Sequence, residues 1–131
     1  MIHSSVVHAD RVSGAFPATM VMAATRCWRD ARDRGIPVQP ALHALLAPTG
    51  YELLGPAFDS LMRLCESRLD RALCTGCRLA PSDDEHLICA LLTDPTLIDR
   101  MGSCGAANAM DRPFTCALQS ARIMLQMLQP C

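Results

Sequence analysis

Residues 74–92 read CTGCRLAPSDDEHLICALL, and they contain the clearest helix start in the chain. Glu85 follows Ser82 by three residues, which is the spacing of a capping box, and the acidic residues between them complement the positive end of a helix dipole. The apolar residues that follow recur at helical spacing. We therefore predict a helix that begins after Ser82 and carries His86 and Cys89 one turn apart.

Helical periodicity continues on both sides of this stretch. Apolar residues recur with a period near 3.6 through most of the chain, and Pro and Gly separate the periodic segments. These segments predict five further helices: from Pro17 to Gly35, over 41–47, from Pro56 to the cysteine pair, from Asp94 to about Gly102, and from Asp111 to about Gln129.

The composition is that of a single helical domain. Of the 131 residues, 50% are hydrophobic but only 4% are aromatic, and Ala, Leu and Met outnumber the β-branched residues that favour strands. A chain of this length can bury one core without metals or disulfides. We therefore predict an all-α, single-domain, orthogonally packed bundle of five or six helices over residues 15–131, preceded by a flexible segment over residues 1–14.

Charge and hydropathy argue against two classes of partner. The formal net charge is −1, so no strong field attracts nucleic acid. No run of about 18 consecutive apolar residues is present, as a membrane-spanning helix would need. Residues 1–11 lack the basic and apolar regions of a secretory signal. We expect a cytoplasmic protein that binds neither nucleic acid nor membrane.

Eight cysteines in a reducing compartment indicate metal or redox chemistry rather than structural disulfides. Cys74 and Cys77 flank a turn at Gly76, and two thiolates at this spacing can bind one tetrahedral Zn²⁺. His86 and Cys89 could complete the site from the helix that follows. The sequence therefore suggests Cys74, Cys77, His86 and Cys89 as zinc ligands.

Other interpretations of the cysteines stay open. His86 points away from the apolar face of its helix and is expected to be exposed, so Cys104 or Cys116 could replace His86 or Cys89. Alternatively, the thiols are free and pack as small hydrophobic groups. Catalytic dithiol exchange is disfavoured, because the pair follows the C-terminus of a predicted helix, whose partial negative charge opposes thiolate formation.

The last predicted helix is apolar on two sides. One stripe comprises Phe114, Leu118, Ala121, Leu125 and Leu128, and beside it lie Cys116, Ile123, Met124 and Met127. Such a helix either occupies the centre of a bundle or buries its excess apolar surface against another subunit. We expect a homodimer formed through this helix.

The first predicted helix carries a charged face. Its arginines and aspartates fall at i, i+4 spacing, as Arg26 with Asp30, Arg29 with Asp33, and Asp30 with Arg34. Pairs at this spacing are typical of a solvated helix surface. We expect local salt bridges on this face rather than contacts with nucleic acid.

Three short motifs carry a resemblance to a known family. They are Arg-Asp-Arg-Gly-Ile at 32–36, Cys-Thr-Gly-Cys-Arg-Leu at 74–79 and Cys-Ala-Leu at 116–118. In their order and setting, over residues 16–128, the chain resembles a family of small helical proteins from GC-rich alphaproteobacteria, a domain of unknown function. That family has more contiguous cysteines than this chain. The resemblance implies a helical fold and no particular activity.

No catalytic signature is present in the sequence. It contains no nucleophile elbow, no phosphate-binding glycine loop and no His-Glu-x-x-His. We expect a non-enzymatic regulatory or adaptor protein, in which Cys74 and Cys77 form a structural zinc knuckle or a local staple between the third and fourth helices. The alternatives are a thiol-based redox or metal sensor with exposed, reversible cysteines, and a small enzyme whose site has no recognisable motif.

Overall fold

The computed structural model describes the backbone of residues 17–76, 79–100 and 107–128, and the side chains over 17–76, 79–98 and 112–128. These residues form five α-helices: α1 (Ala18–Arg34), α2 (Val38–Leu46), α3 (Leu54–Leu69), α4 (Asp83–Thr93) and α5 (Ala107–Met127). Two 3₁₀ helices, Ala47–Thr49 and Pro95–Arg100, follow α2 and α4. The described residues include no β-strand, and the predicted all-α fold is confirmed.

Two parts of the sequence-based description are not tested by this architecture. The N-terminal segment over residues 1–14 lies outside the described residues. The orthogonal arrangement of the helices stays a prediction. Within the described part of the chain, no helix is both long and apolar enough to cross a membrane.

Two helix ends lie where the sequence predicts them. α1 ends at Gly35, which has a φ of 69°, and the N–H of Ile36 donates to the Ala31 carbonyl at 3.0 Å. This left-handed ending satisfies carbonyls that the helix leaves unpaired. α4 begins after Ser82, whose hydroxyl accepts the N–H of Glu85 at 3.1 Å, while the Glu85 carboxylate accepts the N–H of Ser82 at 2.8 Å. The predicted capping box is confirmed.

Three helices begin earlier than predicted. The predicted starts are too late because each is placed at or near a proline that lies inside the helix. α2 starts at Val38, α3 at Leu54 and α5 at Ala107. Pro40 and Pro56 lie inside the first turn of their helices, where the missing N–H has no intrahelical partner to lose. Pro113 lies deeper, inside α5. In these three helices the proline lies near the helix start but is not the first residue.

α3 ends before the cysteine pair, which the sequence places at its end. Leu69 is its last residue, because Asp70 adopts a left-handed conformation with a φ of 58°. Leu73 is still buried, at 2% exposure, although it lies in the following non-helical segment. The apolar periodicity of the sequence therefore continues past Leu69, so the end of α3 cannot be located from the periodicity.

The core is centred on the contact between α3 and α5, the most extensive helix–helix contact of the described chain. Phe58 and Leu61 of α3 and Phe114 and Leu118 of α5 are fully buried in it. Trp28 of α1 is fully buried as well. Burial of these large side chains is the main favourable term in holding the helices together.

α5 buries only one of its two apolar stripes. Phe114, Leu118, Ala121 and Leu125 are buried, and Leu128 is half-buried. Of the second stripe, Met124 packs against the core, whereas Cys116, Ile123 and Met127 are exposed. α5 thus combines a buried face with an exposed apolar face.

Candidate functional site

The two ends of α3 and α4 are joined by residues 70–82, which we call the cysteine loop. The structure describes this loop except for residues 77 and 78. Its backbone between Ala72 and Gly76 forms no regular secondary structure, so most of its N–H groups cannot be satisfied within a helix or sheet. Three carboxylates take over that role.

The first carboxylate is that of Glu66, near the end of α3. It accepts the N–H of Leu73 at 2.8 Å and a hydrogen bond from the Arg29 guanidinium at 2.5 Å. The side chains of Arg29 and Glu66 are each 15% exposed. This pair ties the beginning of the loop to α1 as well as to α3.

The second carboxylate is that of Asp84, in the first turn of α4. It receives two hydrogen bonds from the Arg71 guanidinium, at 2.6 and 2.8 Å, and one from the N–H of Cys74 at 2.8 Å. The bond from Arg71 holds the pKa of Asp84 below its ordinary value, against the opposing effect of burial. Asp84 therefore stays ionised and fixes the backbone of Cys74.

The third carboxylate is that of Glu85, which is fully buried. It forms an ion pair with Arg26 of α1 and accepts the N–H groups of Gly76 at 3.2 Å and Ser82 at 2.8 Å. Arg26 holds the pKa of Glu85 below its ordinary value, although burial acts in the opposite direction. Glu85 thus joins α1, the cysteine loop and the start of α4.

These contacts share one pattern, which we call the carboxylate anchors. Each of Glu66, Asp84 and Glu85 accepts one backbone N–H of the 73–76 segment and one arginine. Charge-assisted hydrogen bonds are stronger than neutral ones, and a buried carboxylate is tolerated only when it is paired and hydrogen-bonded. The anchors therefore hold this stretch of loop in one conformation.

Gly76 adds a steric requirement to the same loop. A Cβ at this position would lie 2.1 Å from the carbonyl oxygen of Ala80 and 2.7 Å from the backbone nitrogen of Ser82. Both are backbone atoms, so neither can move without displacing the loop. The sequence identifies Gly76 as a residue that relieves a turn, and the structure adds that its close neighbours lie across the loop.

The suggested zinc ligands are placed differently from one another. Cys74 is exposed on the cysteine loop, His86 is exposed on α4, and Cys89 is half-buried and packs against the core. Cys77 lies outside the described residues. No three His, Cys, Asp or Glu side chains of the described chain form a group that could hold a metal. The four-residue zinc site stays a prediction, because one ligand is not described.

The other cysteines also occupy different environments. Cys104 lies outside the described residues, and Cys116 is exposed on α5. Cys65 is fully buried, and burial raises the pKa of its thiol to about 12. Burial likewise raises the pKa of Cys27 and of Cys89, and the charge of a nearby acid adds to the effect in each case. Cys74 and Cys116 are therefore the accessible thiols of the described chain.

Sequence reasoning does not find the partners of the acidic residues at the start of α4. It assigns Asp84 and Glu85 to helix capping alone, whereas both are buried and bind arginines. The pairs Arg29–Asp33 and Arg34–Asp30 are present as predicted. Arg26, for which the spacing predicts Asp30, binds Glu85 across the fold.

The position at which α3 ends bears on the expected reactivity of the cysteine pair. The case against catalytic dithiol exchange assumes that the cysteine pair directly follows a helix C-terminus. α3 ends at Leu69 and the loop intervenes, so its dipole does not act directly on Cys74. The backbone of Cys74 is held instead by Asp84, which accepts its N–H at 2.8 Å.

Comparison of the chain with protein-family models, with curated proteins and with solved structures finds no match. The resemblance to a family of small alphaproteobacterial proteins stays a prediction. Function is therefore argued from the geometry of this chain.

We expect Gly76→Ala to destabilise the protein more than a substitution at a glycine that has space around it. Gly50 is the matched control, because it has a φ of 85° and no atom within 4 Å of the place that a Cβ would occupy. Gly50→Ala should cost about 1 kcal/mol of left-handed strain, whereas Gly76→Ala must displace the backbone of the loop. Urea unfolding followed by Trp28 fluorescence measures both. Equal losses would show that the loop has no tight approach at Gly76.

Acid should destabilise the protein through the carboxylate anchors. The folded-state pKa values of Asp84 and Glu85 are lowered, so their contribution is present above the ordinary pKa and is lost as pH falls through the lower folded-state values. The free energy of unfolding should therefore decrease as the solution is acidified below about pH 4.5, the ordinary value for Glu.

Variants separate this effect from general acid denaturation. Asp84→Asn with Glu85→Gln should cost roughly 2 kcal/mol at neutral pH and should flatten the acid side of the stability profile. Asp33→Asn, which removes a carboxylate that is 64% exposed, should leave the profile unchanged. An unaltered acid slope in the double variant would contradict this assignment.

Proposed function

We propose that this protein is a non-enzymatic adaptor or regulatory protein that self-associates through α5. The observation that carries the proposal is the exposed apolar face of that helix. Ile123 is 52% exposed and Met127 is 76% exposed. They follow Cys116 by seven and eleven residues along the helix, which places all three on one side. Exposed apolar stripes of this kind are typical of protein contact surfaces.

The α5 face is also nearly free of charge. Between Pro113 and Gln129 the only charged residue is Arg122. Its guanidinium is directed back to the fold, where it donates to the Leu92 carbonyl at 2.9 Å. The exposed surface of α1, by contrast, carries Asp30, Arg32, Asp33 and Arg34. The two exposed helix surfaces therefore differ in character, and the low charge of the α5 surface supports the proposal that it is an interface.

A second copy of the chain is the partner that this surface fits best. In a two-fold symmetric dimer the same patch lies on both sides, so any charge near the axis meets a like charge. A face without exposed charges between Pro113 and Met127 avoids this repulsion. Burying Ile123 and Met127 against their copies removes apolar area from water. The homodimer predicted from the sequence thus gains a defined surface.

We expect the wild-type protein to have a dimer mass in reducing solution and Ile123→Glu to have a monomer mass. The glutamate would place two unpaired carboxylates in the contact, which is costly without a partner. Leu53→Glu is the matched control, because Leu53 is 63% exposed at a different place in the fold. Light scattering after size exclusion measures the masses. A monomeric wild type at tens of micromolar would disprove self-association through α5.

A second candidate function concerns the cysteine loop. We propose a thiol-based sensor centred on Cys74, because this thiol is exposed while the backbone beside it is fixed by the carboxylate anchors. Since those contacts already secure residues 73–76, a metal is not required to hold this part of the loop. A structural zinc site would instead make folding depend on the metal.

A thiol sensor and a structural zinc site are expected to respond differently to replacement of the cysteines in the loop. For a sensor, replacing Cys74 and Cys77 with Ser should lower the free energy of unfolding by about 1 kcal/mol or less, and strong chelators should leave the melting temperature unchanged. Glutathione disulfide should oxidise the two thiols of the wild type to one disulfide, releasing two molecules of glutathione. Cys116→Ser is the control. Loss of several kcal/mol together with released zinc would favour the structural metal site.

A further inference from the structure

A surface groove runs between the C-terminal part of α1 and the C-terminal half of α3. It is lined by Arg32, Arg63, Glu66, Ser67, Asp70 and Arg71, and its volume is about 460 Å³. Three arginines from α1, α3 and the cysteine loop thus face one space. A groove of this size accommodates a small organic molecule rather than only a single ion.

Two of these arginines have hydrogen-bond donors to offer a ligand. Within the described chain, no carboxylate lies within salt-bridge distance of Arg32. Arg63 uses its Nε to donate to Asp59 at 2.9 Å, which leaves its two terminal nitrogens directed elsewhere. Arg71 is bound to Asp84 through both terminal nitrogens, so its contribution to the groove is mainly its charge.

Arg32 lies against an aromatic ring. Its guanidinium carbon lies 5.0 Å from the centroid of the Trp28 ring, within the range of a cation–π contact. Trp28 is itself fully buried and donates to Asp59 at 2.7 Å, and the same oxygen of Asp59 accepts from Arg63. Arg32 therefore contacts the face of the Trp28 ring, and Arg63 is linked to the indole N–H through Asp59.

The groove also contains two carboxylates, which act differently. Glu66 is already paired with Arg29 and with the N–H of Leu73. Asp70 is exposed, and no salt bridge joins it to another side chain of the described residues. Asp70 and the C-terminal ends of α1 and α3 would repel an anion. The effect of a helix dipole is weaker than a charge-assisted hydrogen bond.

We propose that this groove binds a phosphomonoester group, with Arg32 and Arg63 as its principal ligands and Ser67 as an additional donor. Donors arriving from two helices suit a tetrahedral oxyanion, which offers three oxygens in different directions. A carboxylate is planar and is satisfied by a single arginine fork. The remaining volume of the groove receives the organic part of the ester.

The single tryptophan of the chain provides the measurement. Inorganic phosphate, and separately O-phosphoserine and glycerol 3-phosphate, are added to the full chain at constant ionic strength while Trp28 fluorescence is recorded. Isothermal titration calorimetry gives the dissociation constant independently, since substitution of Arg32 also alters the environment of the ring. Both esters should bind more tightly than inorganic phosphate, because their organic part adds contacts within the groove, and esters that bind no more tightly than inorganic phosphate would contradict an ester site.

Four variants at neighbouring positions test these contacts, and the expected changes in affinity differ in direction. Arg32→Ala and Arg63→Ala should each weaken binding about tenfold or more, as expected for loss of a charge-assisted contact. Asp70→Asn should tighten binding several-fold, because it removes the repelling charge and Asn also tolerates a left-handed backbone. Arg34→Ala should have no effect, since Arg34 pairs with Asp30 and does not line the groove.

The proposal is overturned if phosphate and chloride at equal ionic strength change the fluorescence and the calorimetric signal equally. It is also overturned if Arg34→Ala weakens binding as much as Arg32→Ala, since that result indicates general attraction to a basic surface. Circular dichroism confirms that each variant is folded. If Arg32→Ala or Arg63→Ala is not folded, the Lys substitution at the same position replaces it, and it should retain part of the affinity because the positive charge remains.

Discussion

The Glu85 carboxylate is the interaction on which the arrangement of α1, the cysteine loop and α4 depends. A fully buried carboxylate must have its charge and its lone pairs satisfied, and here Arg26 and the N–H groups of Gly76 and Ser82 fulfil both conditions. One side chain thus serves as helix cap, loop anchor and interhelical ion pair. Its neighbour Asp84 repeats the arrangement with Arg71 and Cys74.

These contacts explain why the cysteine loop has a defined shape although it contains little regular structure. Side-chain carboxylates accept the hydrogen bonds of the loop backbone, and the arginines compensate the negative charge of these carboxylates. The stability of the protein is therefore sensitive to loss of one partner, because an unpaired buried charge is more destabilising than replacement of the whole pair by apolar residues. The loop exposes the side chain of Cys74, while its backbone N–H is bound by Asp84.

Local signals in the sequence predict part of this structure well. Ser82 and Glu85 define the start of α4, and Gly35 defines the end of α1, because both motifs are complete within a few residues. Pro40 and Pro56 mislead by less than a turn and Pro113 by more than a turn, since the helices extend in front of them. The partners of Glu85 cannot be read from spacing, because Arg26 is brought to it only by the docking of α1 against α4. The run of three acidic residues at 83–85 is the one feature of the sequence that indicates such partners. The arginine groove is missed for the same reason, since its residues come from two helices and a loop.

The sequence distances within the Glu85 cluster bear on the order in which the protein folds. Its contacts with Ser82 and Gly76 span 3 and 9 residues, whereas its contact with Arg26 spans 59. Short-range contacts close at little entropic cost, and long-range ones await the docking of distant segments. The contacts of Glu85 with Ser82 and Gly76 can therefore form without α1, whereas its ion pair requires α1 to be docked. Arrival of α1 then seals that carboxylate from water and supplies its counter-charge in a single step, so that desolvation and neutralisation coincide.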